Sequence, residues 1–112
     1  MLIDIQTQNF KLTDSIHDYA ERRLRFSLSY CDDRIQRVEM RLTDTNIPRG
    51  GSDKRCLLRI IAPDLPDIVI EDIQKDIHIA INRATDRAGR TVIRKINRQQ
   101  SMLMQGLPTK TE

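Results

Sequence analysis

The chain has 112 residues, of which 38% are hydrophobic and 31% charged, with a net charge of +3 at pH 7 and a sequence pI of about 9.1. This length predicts one domain, and we find no apolar run of membrane-spanning length and no secretion signal. Four aromatic residues and no Trp argue against a platform on which single-stranded bases stack. Cys31 and Cys56 form no disulfide framework, so we expect reduced thiols in a cytoplasmic protein without a membrane partner.

The N-terminal part predicts a strand followed by a helix. Residues 2–7 alternate between apolar and polar side chains, which is the period of a strand. Thr13 is a candidate N-cap, and Asp14 follows in the first turn, where the helix dipole favours an acid. The predicted helix runs to about residue 29, and its buried stripe comprises Ile16, Ala20, Leu24 and Ser27 with Leu28.

The middle of the chain predicts three further strands and two connections. Strand patterns occur over residues 35–43, 54–62 and 67–73. Residues 44–53 hold Pro48 and the pair Gly50 and Gly51, so we predict a loop there. Residues 63–66 carry two prolines, which cannot donate to a strand ladder, and predict a turn.

The C-terminal part predicts a long helix over residues 76–98, with Asp76 near its N-terminus. The apolar period is lost over residues 99–112, which we predict to be a flexible tail, so residues 1–98 are expected to form the domain. On a helical wheel, the apolar side chains of the long helix share one stripe, formed by Ile77, Ile81, Ala84, Ala88, Val92 and Ile96.

Arginines form a second stripe on the same helix, about a third of a turn from the apolar one. Their spacings are four, three, four and four residues, at Arg83, Arg87, Arg90, Arg94 and Arg98. This "arginine row" spans six basic residues and a single acid, Asp86. A merely solvated face, which is the alternative, usually mixes signs for pairing along the helix. The row therefore favours a polyanion, since the guanidinium fork binds phosphate without reading base sequence.

The element order β-α-β-β-β-α predicts an α+β fold with one four-stranded mixed sheet. The first two strands, joined through a helix, should be parallel, and the later ones antiparallel. Each helix has one apolar stripe, so both should pack on the same face of the sheet. The opposite face would carry charged residues with Leu57, Ile61 and Val69 among them. These three are either scattered exposed aliphatic residues or a surface for a protein partner or weak self-association.

The predicted loop contributes three more basic residues, Arg49, Lys54 and Arg55. The glycines beside Arg49 would let the backbone approach a ligand closely. A flexible connection with incidental charge explains the same residues equally well, and both interpretations stay open.

Signals for catalysis, metals and cofactors are weak. The candidate ligands His17, His78, Cys31 and Cys56 show no metal-binding spacing. Cys56 falls on the predicted inward side of its strand, which suits a core residue better than a nucleophile. We also find no nucleotide-binding glycine motif. We therefore predict a protein that is not an enzyme, holds no cofactor and has no small-molecule substrate.

In its element order and basic spacing, the chain resembles the ribosome hibernation-promoting factor and ribosome-associated inhibitor family. These proteins are also called ribosomal subunit interface or sigma-54 modulation proteins. The resemblance covers about residues 1–98. It is carried by Leu12-Thr13-Asp14 at the start of the first helix, by Arg23-Leu24 within it, and by Asp76 followed by Ala80-Ile81-Asn82 in the second.

The resemblance implies a cytoplasmic bacterial protein that binds small-subunit ribosomal RNA in the tRNA and mRNA channel. Such a factor inhibits translation and keeps ribosomes inactive under stress and in stationary phase. The residues that the resemblance assigns to RNA are Arg87, Arg90 and Arg94, with Arg22, Arg23 and Arg25 on the first helix. Arg83 and Arg98 join this set from the helical wheel.

Two features depart from the best-known family members. The stretch from Pro48 to Cys56 resembles a divergent subset that shares a PRGGxDKRC-like loop. The segment after Gln99 is too short for the C-terminal dimerisation domain of long-form members. We therefore expect a short form that would need another factor to pair ribosomes.

Overall fold

The computed structural model describes residues 1–47 and 51–105, and its elements follow the predicted order. The strands are β1 (Leu2–Gln8), β2 (Arg37–Ile47), β3 (Gly51–Ile61) and β4 (Ile68–Gln74). The helices are α1 (Asp14–Ser27) and α2 (Ile77–Gln105), and a 3₁₀ segment (Ser29–Arg34) follows α1. The predicted α+β class is confirmed.

The four strands form one mixed sheet in the order β1-β2-β3-β4. β1 is parallel to β2, with Leu2 opposite Arg37. β2 and β3 are antiparallel, and so are β3 and β4. The predicted strand directions are confirmed, because the helical connection returns the chain to the same end of the sheet whereas the short turns reverse it.

The core lies between one face of the sheet and the two helices. The apolar stripe of α2 is confirmed: Ala84, Ala88 and Val92 are fully buried, while Ile77 and Ile96 at its ends are half-buried. Alternate strand residues fill the core from the sheet side, including Val38, Met40, Leu42, Cys56, Leu58 and Ile60. With this stripe buried, the C-terminal arginines of α2, Arg90, Arg94 and Arg98, remain exposed to solvent.

Side-chain caps explain why both helices begin close to the predicted positions. The Thr13 hydroxyl accepts a hydrogen bond from the backbone N–H of Ile16 at 3.2 Å. The Asp76 carboxylate accepts from the N–H groups of His78 at 2.7 Å and Ile79 at 3.3 Å. These contacts satisfy donors that have no partner within the first turn of a helix.

The prediction of a loop over residues 44–53 is wrong at both ends. β2 continues to Ile47, and β3 already begins at Gly51. Cross-strand contacts explain the longer hairpin: Lys54 lies 2.7 Å from the Asp44 carboxylate, and the Thr45 hydroxyl donates to the Asp53 carbonyl at 2.9 Å. The part of the predicted loop at residues 48–50, with Arg49, lies outside the described residues.

The predicted end of the last helix is also wrong, because α2 continues to Gln105. Gln99, placed in the predicted tail, is held on both sides. Its side-chain amide donates to the Asp64 carbonyl at 2.7 Å, and its oxygen accepts from Arg34 at 3.2 Å. No glycine or proline interrupts the sequence between Gln99 and Gln105, so the helix can extend beyond its apolar stripe. Residues 106–112 lie outside the described chain.

α1 and α2 approach each other closely at Gly89. A Cβ atom at this position would lie 2.6 Å from the backbone carbonyl oxygen of Ser27. The absence of a side chain therefore allows the C-terminal end of α1 to contact α2, and this contact places the 3₁₀ segment beside the arginine row.

Candidate nucleic-acid interface

The structure divides the arginine row into two groups. Arg83 and Arg87 belong to the first, which lies over β4. Asp72 lies on the side of β4 that faces the core, and it is only 9% exposed. Its carboxylate lies 3.8 Å from Arg83 and 3.4 Å from Arg87. Arg87 also donates to the Glu71 carbonyl at 2.8 Å. These two arginines therefore compensate a nearly buried charge and attach the helix to the sheet.

The second group is Arg90, Arg94 and Arg98, on the C-terminal half of α2. All three are exposed. Within residues 1–47 and 51–105, no carboxylate lies within 4.0 Å of any of them, whereas Arg83 and Arg87 have Asp72. A charged side chain without an ion-pair partner keeps its donors available, so this group is the part of the row best suited to an external anion.

On α1, the three predicted arginines differ in their partners. Arg23 binds Asp86 at 2.6 Å, so the single acid of the arginine row is engaged in an ion pair between the two helices. Arg25 pairs with Glu21 along α1 at 3.0 Å. Arg22 is exposed and belongs to no ion pair in the described part of the chain. Of these three arginines, the structure thus places Arg23 directly beside α2.

Of the basic residues predicted in the loop, Lys54 and Arg55 are both engaged in ion pairs away from the arginine row. Lys54 is neutralised by Asp44. Arg55, the next residue of β3, points to the opposite face of the sheet, where it pairs with Glu71. The strand geometry separates Arg55 from the helices by the thickness of the sheet.

The open face of the sheet carries charges of both signs that pair with one another. Arg37 contacts Asp4 at 3.3 Å, and Arg59 contacts Asp67 at 2.7 Å. Asp4, Arg37 and Arg59 are among the residues that line a depression of about 350 Å³ on this face. Among the predicted apolar residues of this face, Leu57 and Ile61 are half-buried and Val69 is 62% exposed. The two faces of the protein therefore differ in their charge balance.

Two exposed aromatic residues that were not predicted from the sequence as part of the site lie beside the second arginine group. Phe26 is 74% exposed and Tyr30 is 88% exposed. With Arg90 and Ile93 they line an open depression of about 490 Å³ between the end of α1 and α2. One signal was available in the sequence, since Phe26 lies off the apolar stripe of α1. The position of Tyr30 depends on the 3₁₀ segment, which was not predicted.

The two cysteines belong to the hydrophobic core. Both cysteines are buried. Burial raises the pKa of the Cys31 thiol, and burial with the nearby Asp72 charge raises the pKa of Cys56 to about 12. Over residues 1–47 and 51–105, no group of three or more His, Cys, Asp or Glu side chains could hold a metal ion. In the same ranges, no helix is long and apolar enough to cross a membrane.

The fold and surface together define a small α+β protein with a sheet backed by two helices and a one-sided row of arginines. Residues 3–100 match the family described as sigma 54 modulation protein / S30EA ribosomal protein. The chain belongs to this family, which comprises ribosome-associated subunit interface and modulation proteins. The predicted family is therefore confirmed. Among curated proteins, no sequence matches this chain significantly.

Two solved structures resemble the chain over most of its length. The N-terminal domain of Protein Y from Thermus thermophilus is 27% identical, with a TM-score of 0.70; the match covers 84% of this chain and 98% of that one. A ribosomal subunit interface protein from Coxiella burnetii is 12% identical, with a TM-score of 0.74. That match covers 87% of this chain and 99% of the other, and at this identity it supports the fold alone.

Proposed function

We propose that the protein is a non-enzymatic regulator of translation that binds ribosomal RNA of the small subunit. The observation that carries this proposal is the second arginine group. Arg90, Arg94 and Arg98 are exposed along one side of α2, and no carboxylate of the described chain pairs with them. In a protein of a ribosome-associated family, the abundant polyanion within reach is ribosomal RNA.

The geometry suits a folded RNA backbone better than a single anion. Arg90 and Arg94 are one helical turn apart, as are Arg94 and Arg98, which gives steps of about 6 Å along the axis. Such a row can contact several phosphates in sequence, and phosphate contacts position a protein without reading bases. Bound in the tRNA and mRNA channel, as the family resemblance implies, the protein would block their entry and keep the ribosome inactive in the cytoplasm.

The arginines have different roles in this proposal. Arg90, Arg94 and Arg98 form the main contact, and Arg22 and Arg25 lie on the neighbouring helix with their side chains exposed. The ion pairs of Arg83 and Arg87 with Asp72, and of Arg23 with Asp86, hold the helices in place. Any contact of these three arginines with RNA would be a second role. Lys54 and Arg55 are paired within the sheet and contribute less.

Co-sedimentation with small ribosomal subunits at low and high salt tests the proposal. We expect the wild type to pellet with the subunit at low salt and to be released as salt rises, because phosphate contacts depend on counterion release. The variant Arg90→Gln/Arg94→Gln should lose most of this association and most of any inhibition of translation in vitro. Arg87 is left unchanged because it also binds the Glu71 carbonyl.

A matched control removes the same charge elsewhere. Arg41→Gln/Lys75→Gln alters an exposed residue of the open sheet face and one in the connection before α2. This variant should pellet like the wild type. Equal losses in both variants would show that net charge matters rather than the arginine row, and an unaffected Arg90→Gln/Arg94→Gln variant would refute the row as the contact.

The open sheet face supports a second candidate function, a protein-interaction surface with weak self-association. Val69 and Ile73, which point outward from the edge strand β4, are 62% and 52% exposed. Apolar contacts of this kind persist at high salt. Light scattering at high salt should then show a dimer that Val69→Thr/Ile73→Thr disrupts, whereas a monomer at all concentrations would exclude self-association.

A further inference from the structure

The depression beside Arg90 has features that phosphate binding alone does not require. We call it the aromatic groove, and its defining residues are Phe26, Tyr30, Arg90, Ile93 and Asn97. It consists of two adjoining hollows, of about 490 and 340 Å³, which share Tyr30 and Ile93. Large apolar side chains exposed to this degree are unusual when they stand together, and such clusters mark interaction sites.

The Phe26 ring is held in place from one side. The guanidinium carbon of Arg23 lies 5.8 Å from the ring centroid, within the range of a cation–π contact. Arg23 is itself fixed by Asp86 across the helix interface at 2.6 Å. The rest of the ring remains open, since the side chain is 74% exposed. A ring that is fixed on one side and free on the other is suited to stacking on a second planar group.

The charges around the groove indicate which class of planar ligand it would bind. Arg90 lines the groove, and Arg94 follows one turn later on α2. Asp86, the acid that lines it, is engaged with Arg23. An acidic peptide would use the arginines and leave two exposed rings without a role. A nucleotide has both complements in one unit, an anionic phosphate and an aromatic base.

We propose that the aromatic groove binds an unpaired nucleotide of RNA, with its base stacked on Phe26 and Tyr30 and its phosphate on Arg90. This inference deepens the proposed function and depends on it for the source of the RNA. It also refines the sequence-based expectation that aromatic residues are too few for stacking. A continuous platform is indeed absent from the described residues, but two of the four aromatic residues line the same depression as Arg90.

Tyrosine fluorescence gives a direct test, because the chain has no Trp and its second tyrosine, Tyr19, can be replaced. In Tyr19→Phe, emission reports on Tyr30. We expect single-stranded RNA to quench this emission, since a stacked base contacts the ring. A duplex with the same number of phosphates should quench it far less because its bases are already stacked. Equal quenching by both, or none by either, would overturn the inference.

Substitutions define the contribution of each ring. Phe26→Leu and Tyr30→Leu should each weaken binding of single-stranded RNA about tenfold in a filter assay, the order measured for loss of one stacked base. Both residues are exposed, so the variants should fold normally. Leu2→Thr changes an apolar residue on β1 that is 67% exposed and should have no effect. Unchanged affinity in both ring variants would contradict stacking.

Ribosome pelleting separates this inference from the proposed function. If wild type fails to pellet with small subunits but single-stranded RNA still quenches Tyr30, the ribosomal role fails and nucleotide binding stands. If the wild type pellets through Arg90 and Arg94 without any quenching by single-stranded RNA, nucleotide binding alone fails. If Phe26→Leu reduces pelleting but leaves RNA affinity unchanged, the groove contacts a protein, which would also overturn the inference.

Discussion

Among single residues, Asp72 has the most consequences for the arginine row, because its nearly buried carboxylate meets both Arg83 and Arg87. We expect Asp72→Asn and Arg87→Gln to be coupled by about 1–2 kcal/mol in the free energy of unfolding, as for a hydrogen-bonded charge. A double-mutant cycle measured by urea denaturation checks this value. The same cycle with Arg90→Gln should show no coupling to Asp72, and a coupling as large as that of Arg87 would contradict the division of the row.

Cys56 provides a second prediction at the residue scale, because its pKa rises from 9.0 to about 12 in the folded protein. Between these values the unfolded thiol loses its proton while the folded one keeps it. The free energy of unfolding should therefore fall as pH rises through this window, by at most about 1.4 kcal/mol per pH unit from this thiol. Well below pH 9 the thiol is protonated in both the folded and the unfolded state, so its contribution to the free energy of unfolding no longer changes with pH.

Denaturation of wild type and Cys56→Ala across the alkaline range isolates this effect. The variant should start less stable, because it leaves a small cavity in the core. Its stability should nevertheless fall less steeply with pH, since the groups that still titrate are common to both proteins. Parallel pH profiles would show that the Cys56 thiol is not protected by the fold.

At the scale of elements, the contact between α1 and α2 depends on Gly89. Gly89→Ala would raise helix propensity by about 1 kcal/mol, but its methyl group would lie against the Ser27 carbonyl and force the helices apart. We expect a net destabilisation of up to about 2 kcal/mol, since overpacking of this kind costs about 1–3 kcal/mol and the gain in helix propensity offsets about 1 kcal/mol of it. Asn97→Ala, an exposed change on the same helix, is the control and should be neutral in thermal unfolding. A Gly89→Ala protein that is more stable than the wild type by about 1 kcal/mol, as helix propensity alone predicts, would contradict the close approach.

The helices and strands show what sequence patterns can and cannot predict. The periods of two and 3.6 residues correctly placed Cys56 in the core and the Ala84 face of α2 against the sheet, because burial follows the period directly. Element ends were less predictable. Gln99 extends α2 through contacts with Arg34 and the Asp64 carbonyl, which are distant in sequence. The longer hairpin likewise depends on pairs across β2 and β3.

The candidate site was predictable only in outline for the same reason. The wheel showed five arginines on one stripe, but it could not show that Asp72 engages two of them. The division of the row can be predicted only when the position of β4 relative to α2 is known. The aromatic groove forms where two helices pack together at Gly89 and where the 3₁₀ segment positions Tyr30. Both features come from tertiary contacts rather than from local sequence.

For the whole molecule, the net charge of +3 understates the local field. The open sheet face pairs its charges, as Arg37 does with Asp4 and Arg59 with Asp67. The C-terminal half of α2 carries arginines that have no such partners in residues 1–47 and 51–105. An approaching polyanion should therefore be oriented toward the helical face before it makes contact.

The salt dependence of ribosome binding measures this asymmetry residue by residue. In a plot of the logarithm of the association constant against the logarithm of salt concentration, each phosphate contact contributes about 0.7–0.9 to the slope. Arg94→Gln should therefore lower the magnitude of the slope by roughly that amount. Arg41→Gln removes one charge from the open sheet face and should leave the slope unchanged. If Arg41→Gln lowers the slope as much as Arg94→Gln does, the RNA contacts both faces, and the asymmetry of paired and unpaired charges does not orient binding.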